Sequence, residues 1–162
     1  MDNVIIEEMP KKIAMDNLRT ILLAEDNPKD VELTLEAISE HNLANRVVIV
    51  NDGVEVLDYL QYKGKFKLRK KGNPAVILLD IKMPRLDGIE VLQAIKKDPI
   101  LKLIPVVVLT SSREEPDLKR CYELGANAYV VKPLDFKEFI NAVKQVGVFW
   151  ALINELPPDG GI

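Results

Sequence analysis

Five short runs of apolar residues recur along the chain, and each is followed by a segment with helical periodicity. Runs this short and this free of polar side chains are typical of strands covered on both faces in a parallel sheet. The five runs are Thr20–Ala24, Arg46–Val50, Val76–Asp80, Pro105–Leu109 and Ala128–Val131. Their alternation with helices predicts an α/β fold, a doubly wound five-stranded parallel sheet with right-handed crossovers.

Each segment that follows a predicted strand begins with a residue typical of a helix start, and a stripe of apolar residues comes after it. Apolar side chains at spacings of three and four then give each predicted helix a face toward the sheet. The expected starts are at Pro28 with Asn27 as its cap, at Asp52, after Gly88, at Pro116 and at Asp135.

Polar residues stand where the predicted strands end. Glu25 and Asp26 follow the first strand, Asp80 ends the third, Thr110 follows the fourth and Lys132 follows the fifth. Ligands of open α/β sheets bind outside the carboxyl ends of the strands, where the strand order reverses. If the order is 2-1-3-4-5, the first and third strands flank that point, and the three acids share one crevice.

Three carboxylates in one crevice need a cation to remain ionised together. Mg²⁺ binds one or two carboxylates, water and phosphoryl oxygens. The ammonium of Lys132 and the hydroxyl of Thr110 would add donors for a phosphoryl group. The set is therefore suited to holding a phosphoryl group on Asp80, with its carboxylate as the nucleophile.

These motifs together resemble the receiver domain of two-component response regulators. The matching stretches are Glu25-Asp26, the segment from Leu78 to Gly88, Thr110-Ser111 and Lys132-Pro133, within a span from about Leu18 to Val146. The resemblance implies a flavodoxin-like receiver fold with strand order 2-1-3-4-5. It also implies phosphoryl transfer from a sensor histidine kinase to an aspartate, followed by conformational switching.

The resemblance gives each matching residue a role. Asp80 would be the phospho-acceptor, Thr110 and Lys132 would contact the phosphoryl oxygens, and Tyr129 would be the aromatic switch residue. Lys132–Pro133 would form the cis peptide bond that the family has at this place. Magnesium would be held by Glu25, Asp26, Asp80 and the backbone carbonyl of Lys82. Such a protein assists its own phosphorylation and dephosphorylation and is not otherwise an enzyme.

Residues 19–147 are expected to form the receiver domain. Residues 1–18 are predicted to be an N-terminal extension, and residues 148–162 to extend the last helix and end in a tail. A long lysine-rich connection from Gln61 to Asn73 is interpreted as a solvated loop or, alternatively, as a docking site for an acidic partner. This connection and the apolar C-terminal end resemble the single-domain regulators that work with phytochrome-type kinases.

The end of the last helix carries apolar side chains on all sides. One stripe can pack against the sheet, and the opposite stripe would then be exposed to solvent unless a partner covers it. We therefore predict a symmetric homodimer through Phe149, Trp150 and Leu152, with the fourth-helix and fifth-strand face as a further contact.

The composition indicates the class of protein and the cellular compartment to expect. The chain has 162 residues, of which 48% are hydrophobic and 29% charged, as expected for one soluble domain. A net charge of −3 argues against direct nucleic-acid binding. One cysteine excludes an internal disulfide, which favours a reducing cytoplasm, and no apolar run approaches the ~18 residues of a membrane span.

Two other functions fit parts of this pattern. A pseudo-receiver would keep the fold as a docking or scaffold module and would never be phosphorylated. A phosphatase of the haloacid-dehalogenase type also uses an aspartate at a strand end with Mg²⁺. Such enzymes want a second aspartate two residues on, and this chain has Lys82 there.

Overall fold

Five parallel strands form a single sheet. The structure is a computed structural model that describes residues 20–39, 46–133, 135–150 and 154–155. The strands are β1 (Ile21–Ala24), β2 (Val47–Val50), β3 (Val76–Leu79), β4 (Val106–Thr110) and β5 (Ala128–Val131). Their order is β2-β1-β3-β4-β5, which confirms the predicted doubly wound sheet. Most of the predicted extensions, 1–18 and 148–162, lies outside the described residues.

Three of the five described helices begin at their predicted caps, whereas the third and fourth begin one residue earlier than predicted. They are α1 (Pro28–Ile38), α2 (Gly53–Leu60), α3 (Gly88–Lys97), α4 (Glu115–Glu123) and α5 (Phe136–Val148). The side chains of Asn27, Asp52 and Asp135 each accept a hydrogen bond from a backbone N–H of the first turn, as predicted. Asp87 and Glu90 form a reciprocal capping box at the start of α3.

The core has two layers, one on each face of the sheet. Alternate residues of a strand point to opposite faces, so Leu22 and Ile77 pack with α2 and α3, whereas Ile21 and Val76 pack with α1 and α5. All residues of β1, β3 and β4 are buried, and those of β5 are half-buried. The three central strands therefore hold their carboxyl ends in fixed positions. None of the helices in the described ranges is long and apolar enough to cross a membrane.

The basic connection between α2 and β3 is ordered around Arg69. Its guanidinium lies between the rings of Tyr59 and Tyr62, 3.9 and 4.0 Å from their centroids. It also donates hydrogen bonds to the carbonyls of Tyr59, Lys70 and Gly72 at 2.7, 2.9 and 3.0 Å. Arg69 is thus a structural residue, whereas the lysines of the predicted basic run are exposed, namely Lys63, Lys65, Lys67, Lys70 and Lys71.

Of the two aromatic residues after α5, Phe149 is exposed to solvent and Trp150 packs partly against the core. Phe149 is 46% exposed, and its ring meets that of Trp150 edge to face at a centroid distance of 5.2 Å. Trp150 packs partly against the core layer that contains α1 and α5. Leu152, the third predicted interface residue, lies outside the described residues.

Candidate functional site

Glu25 and Asp80 lie side by side at the carboxyl edge of the sheet. Ala24 of β1 is in register with Leu79 of β3, and each acid is the first residue after its strand. The backbone N–H of Asp80 donates to the carbonyl of Ala24 at 3.1 Å. Both carboxylates are buried, whereas neighbouring Asp26 is exposed. Parallel pairing of buried strands thus brings together acids that are far apart in sequence.

Lys132 reaches this acidic edge from β5, across β4. Its buried ammonium forms a hydrogen-bonded ion pair with Glu25 and also contacts Asp30 Oδ2 at 2.8 Å and Asp80 Oδ2 at 3.2 Å. The backbone N–H of Lys132 donates to the carbonyl of Thr110 at 2.7 Å, which fixes the root of the side chain. The structure therefore places Lys132 among the acids with which the sequence predicts it to act.

Burial and charge act against each other at this site. Burial alone would lower the pKa of Lys132, but its hydrogen bonds to Asp30 and Glu25 and the charge of Asp80 raise it above the ordinary value. Burial raises the pKa of Glu25, with a further rise from Asp80, although the hydrogen bond from Lys132 opposes it. The edge therefore carries more buried negative charge than Lys132 alone neutralises, and a second cation would be favoured there.

The residues present fit a divalent metal. Glu25, Asp26 and Asp80 each offer a carboxylate oxygen, and the three oxygens lie within 4.8 Å of one another. Hard divalent cations prefer such oxygen ligands. Oδ1 of Asp80 accepts a hydrogen bond from the backbone N–H of Lys82 at 3.3 Å. The proposed contribution of the Lys82 carbonyl stays a prediction.

Thr110 and Tyr129 are linked through Ser112 in the loop after β4. The hydroxyl of Thr110 is buried and accepts from the backbone N–H of Ser112 at 3.3 Å, while the phenol of Tyr129 donates to the carbonyl of Ser112 at 3.0 Å. Ser112 is itself held by a 2.7 Å hydrogen bond from its hydroxyl to Asp117. A movement of the Thr110 hydroxyl would therefore shift Ser112 and, with it, the hydrogen bond that Tyr129 donates.

Close backbone packing shapes the loop that follows Asp80. A Cβ atom on Gly88 would lie 2.2 Å from the carbonyl oxygen of Asp80, so only glycine fits where α3 begins. Arg85, in the same loop, has a φ of 64°, in the left-handed region. Its guanidinium makes a forked contact to Asp52, the cap of α2.

Sequence reasoning missed Asp30 and missed the ion pair that Asp52 forms. Asp30 stands four residues after Asp26, in the first turn of the helix that Asn27 caps, and its closeness in sequence to the acidic pair was the available signal for a fourth acid at this edge. Asp52 was predicted only to start a helix, but it is buried and also pairs with Arg85. The predicted cis bond at Lys132–Pro133 is wrong, because the described residues contain no cis peptide bond. An X–Pro bond intrinsically favours the trans form that the structure has.

Comparison with known proteins gives consistent matches over most of the chain. A family model described as the response regulator receiver domain matches residues 21–144. Response regulator Rcp1 from Synechocystis sp. is 37% identical over 139 residues, covering 86% of this chain and 93% of its own length. A structure of its Mn²⁺-bound form superposes with a TM-score of 0.77 at 37% identity, over 86% of this chain and 99% of that one.

Two further solved structures are similar at higher identity. The phosphorylated cyanobacterial phytochrome response regulator RcpA has a TM-score of 0.80 and 40% identity, covering 86% of this chain and 98% of its own. The bacteriophytochrome response regulator AtBRR is 59% identical with a TM-score of 0.68, covering 85% of this chain and 99% of its own. The chain thus matches these relatives over nearly their whole lengths.

Proposed function

Because the chain belongs to the response regulator receiver family of two-component signalling proteins, we propose that it accepts a phosphoryl group on Asp80 from a sensor histidine kinase. The observation that carries this proposal is the convergence of Asp80 with the Glu25–Asp26 pair and the Lys132 ammonium at one edge of the sheet. In this proposal residues 19–147 are the receiver domain, and the protein acts as a stand-alone regulator.

The chemistry follows from what surrounds the acceptor. A carboxylate oxygen of Asp80 attacks the phosphorus atom, an O–P bond forms, and the P–N bond to the kinase histidine breaks, leaving its electron pair on the imidazole. Asp80 is buried, and its Oδ2 accepts a hydrogen bond from the Lys132 ammonium, so the carboxylate is held in place. The Lys132 ammonium and the Thr110 hydroxyl then hold phosphoryl oxygens. Positioning and charge neutralisation supply most of the rate in such transfers.

Magnesium is the proposed cofactor. The residues that would hold it are Glu25, Asp26, Asp80 and Lys82, the last through its backbone carbonyl. When bound, it supplies positive charge that neutralises the phosphoryl oxygens as they approach the carboxylates. The Mn²⁺-bound form of the relative Rcp1 supports a divalent metal in this family.

The output is a change of shape that starts at Thr110. A phosphoryl group adds nearly two negative charges and three acceptor oxygens, which would draw the Thr110 hydroxyl away from the N–H of Ser112. Ser112 also accepts the Tyr129 hydrogen bond, so Tyr129 would change position with it. Tyr129 is therefore proposed as the switch residue, and partners that bind one state more tightly would read it.

Several features of the setting are also proposals. A phytochrome-type kinase is the proposed phosphoryl donor, since similar solved structures are described as phytochrome or bacteriophytochrome response regulators. Homodimerisation through Phe149, Trp150 and Leu152 would cover the exposed aromatic end of α5. We place the protein in the cytoplasm, with no nucleic-acid or membrane partner and no enzymatic substrate beyond its own phosphoryl group.

One experiment tests the central proposal. Incubation with acetyl phosphate and Mg²⁺, followed by intact mass measurement, is expected to show one phosphoryl adduct on the wild type and none on Asp80→Asn. An unlabelled wild type would leave the pseudo-receiver as the better account. Replacing Glu25 and Asp26 together by alanine should abolish the stimulation by Mg²⁺. Steady turnover of phosphate esters would instead favour the dehalogenase-type phosphatase.

A further inference from the structure

Asp30 lies at the acidic edge of the sheet, but the mechanism proposed above gives it no role. It lies in the first turn of α1, and its Oδ2 accepts a hydrogen bond from the Lys132 ammonium at 2.8 Å. The residues that contribute to the site otherwise come from the ends of strands, so α1 adds a contact from a different element. The carboxylate is mostly buried, with a quarter of the side chain exposed.

A helix-start role does not account for this contact. Acidic residues are common in first turns because they complement the helix dipole, and exposure to solvent is enough for that. The cap of α1 is supplied by Asn27, whose side-chain oxygen accepts from the N–H groups of Lys29 and Asp30. The carboxylate of Asp30 is turned instead to the site, where it meets a buried ammonium. Glu32, two residues later in the same helix, is exposed to solvent and therefore differs from Asp30 in its surroundings.

The donors of Lys132 match their acceptors in number. A lysine ammonium has three N–H groups, and Lys132 contacts three carboxylates, those of Glu25, Asp30 and Asp80. Two of these carboxylates belong to the set of oxygens that fits a divalent metal, and Asp30 does not. The contact to Asp30 is thus the one that metal binding and phosphorylation leave intact.

From this arrangement we infer that Asp30 is a positioning residue, which fixes the direction of the Lys132 ammonium so that one N–H points to the phosphoryl group on Asp80. The inference rests on the function proposed above. With Asp30 present, one donor of Lys132 stays engaged, and this fixed contact limits the directions in which the other two N–H groups can point. Without it, the four-carbon side chain regains rotational freedom, and the ammonium meets the incoming phosphoryl group in many orientations.

The test measures the labelling rate with acetyl phosphate as a function of Mg²⁺ concentration, which separates the half-saturating Mg²⁺ concentration from the maximal rate. Asp30→Ala is expected to lower the maximal rate about tenfold and to leave the half-saturating Mg²⁺ concentration within about twofold. Asp30→Asn keeps an oxygen acceptor for the ammonium and should recover most of the rate. Glu32→Ala, on the exposed side of the same helix, should match the wild type.

A double-variant cycle makes the assignment specific. In a Lys132→Ala background, the replacement Asp30→Ala should cause no further loss, because the group it positions is gone. The inference is overturned if Asp30→Ala labels at the wild-type rate, if the tenfold loss persists without Lys132, or if only the half-saturating Mg²⁺ concentration changes. A wild type that is not labelled at all would instead refute the proposed function, and the inference with it.

Discussion

The guanidinium of Arg85 donates two hydrogen bonds to the carboxylate of Asp52, from Nε to Oδ2 at 2.8 Å and from a terminal nitrogen to Oδ1 at 3.0 Å. The contact joins the loop that follows Asp80 to the first turn of α2. Asp52 also caps that helix by accepting from the N–H of Glu55 at 2.8 Å. One carboxylate thus stabilises a helix start and a loop of the site together.

Replacing Arg85 or Asp52 by alanine is expected to lower the free energy of unfolding, and the loss should be larger for Asp52. Arg85→Ala loses a partly exposed fork and should cost about 1 kcal/mol. Asp52→Ala loses the fork and the cap of α2, and should cost about 2–3 kcal/mol. Urea unfolding measures both, with the exposed Arg113→Ala as control. Equal losses from the two variants would contradict the double role of Asp52.

The same pair predicts a pH dependence of stability. Burial alone would raise the pKa of Asp52, but the N–H of Glu55 and the guanidinium of Arg85 lower it below its ordinary value of 3.8. A group whose pKa is lower in the folded state stabilises above its unfolded pKa, and this stabilisation is lost as the pH falls through the folded value. The stability difference between the wild type and Asp52→Asn should therefore be constant near neutrality and shrink only below about pH 3.8. A difference that grows on acidification would contradict the lowered pKa.

Gly88→Ala should damage both stability and labelling. Its new methyl group would lie 2.2 Å from the Asp80 carbonyl oxygen, so the backbone that carries the acceptor must move. We expect a loss of about 2 kcal/mol or more in urea unfolding and slower labelling by acetyl phosphate. Gly72→Ala is the control, since its Cβ would have no atom within 4 Å and only its φ of 136° is strained. Slowed labelling in both variants would contradict a specific effect at Asp80.

Arg69 should be needed for the order of the basic connection. Arg69→Ala removes two ring contacts and three hydrogen bonds to carbonyls, with an expected cost of about 2–3 kcal/mol. Arg69→Lys should recover little, because an ammonium cannot replace a planar guanidinium between two rings. Urea unfolding and hydrogen exchange at the Gly72 amide would measure the effect, with the exposed Lys67→Ala as control. A lysine variant as stable as the wild type would contradict the stacked arrangement.

The proposed homodimer depends on the exposed ring of Phe149. Phe149→Asp places a charge at the proposed interface and should convert a dimer into a monomer, which equilibrium sedimentation would show as a halved mass. Leu68→Asp is the matched control, since Leu68 is 94% exposed in the loop between α2 and β3. A monomer mass for the wild type and for Phe149→Asp alike would defeat the proposal.

Periodicity and strand-end chemistry predicted the features that depend on local sequence. The buried runs became β1 to β5 nearly at their predicted bounds, and Asn27, Asp52 and Asp135 cap the helices that follow them. The third strand ends one residue earlier than predicted, at Leu79, because its partner β1 ends opposite it at Ala24.

The contacts that the sequence did not predict join residues far apart in the chain. Asp30 meets Lys132 only because α1 packs over the sheet in a particular rotation, and Arg85 meets Asp52 only because two loops fold together. Single charged residues at unrelated positions carry no periodic signal. Such pairs become visible only when the fold fixes the loops.

Trp150 gives this protein an optical reporter of its own. It is the single tryptophan of the chain, and it packs against the layer that α1 and α5 share, edge to face with a ring open to solvent. Its emission therefore monitors the far end of α5 without any attached dye. Any rearrangement that travels from the acidic edge to that helix could be followed in real time by its fluorescence alone.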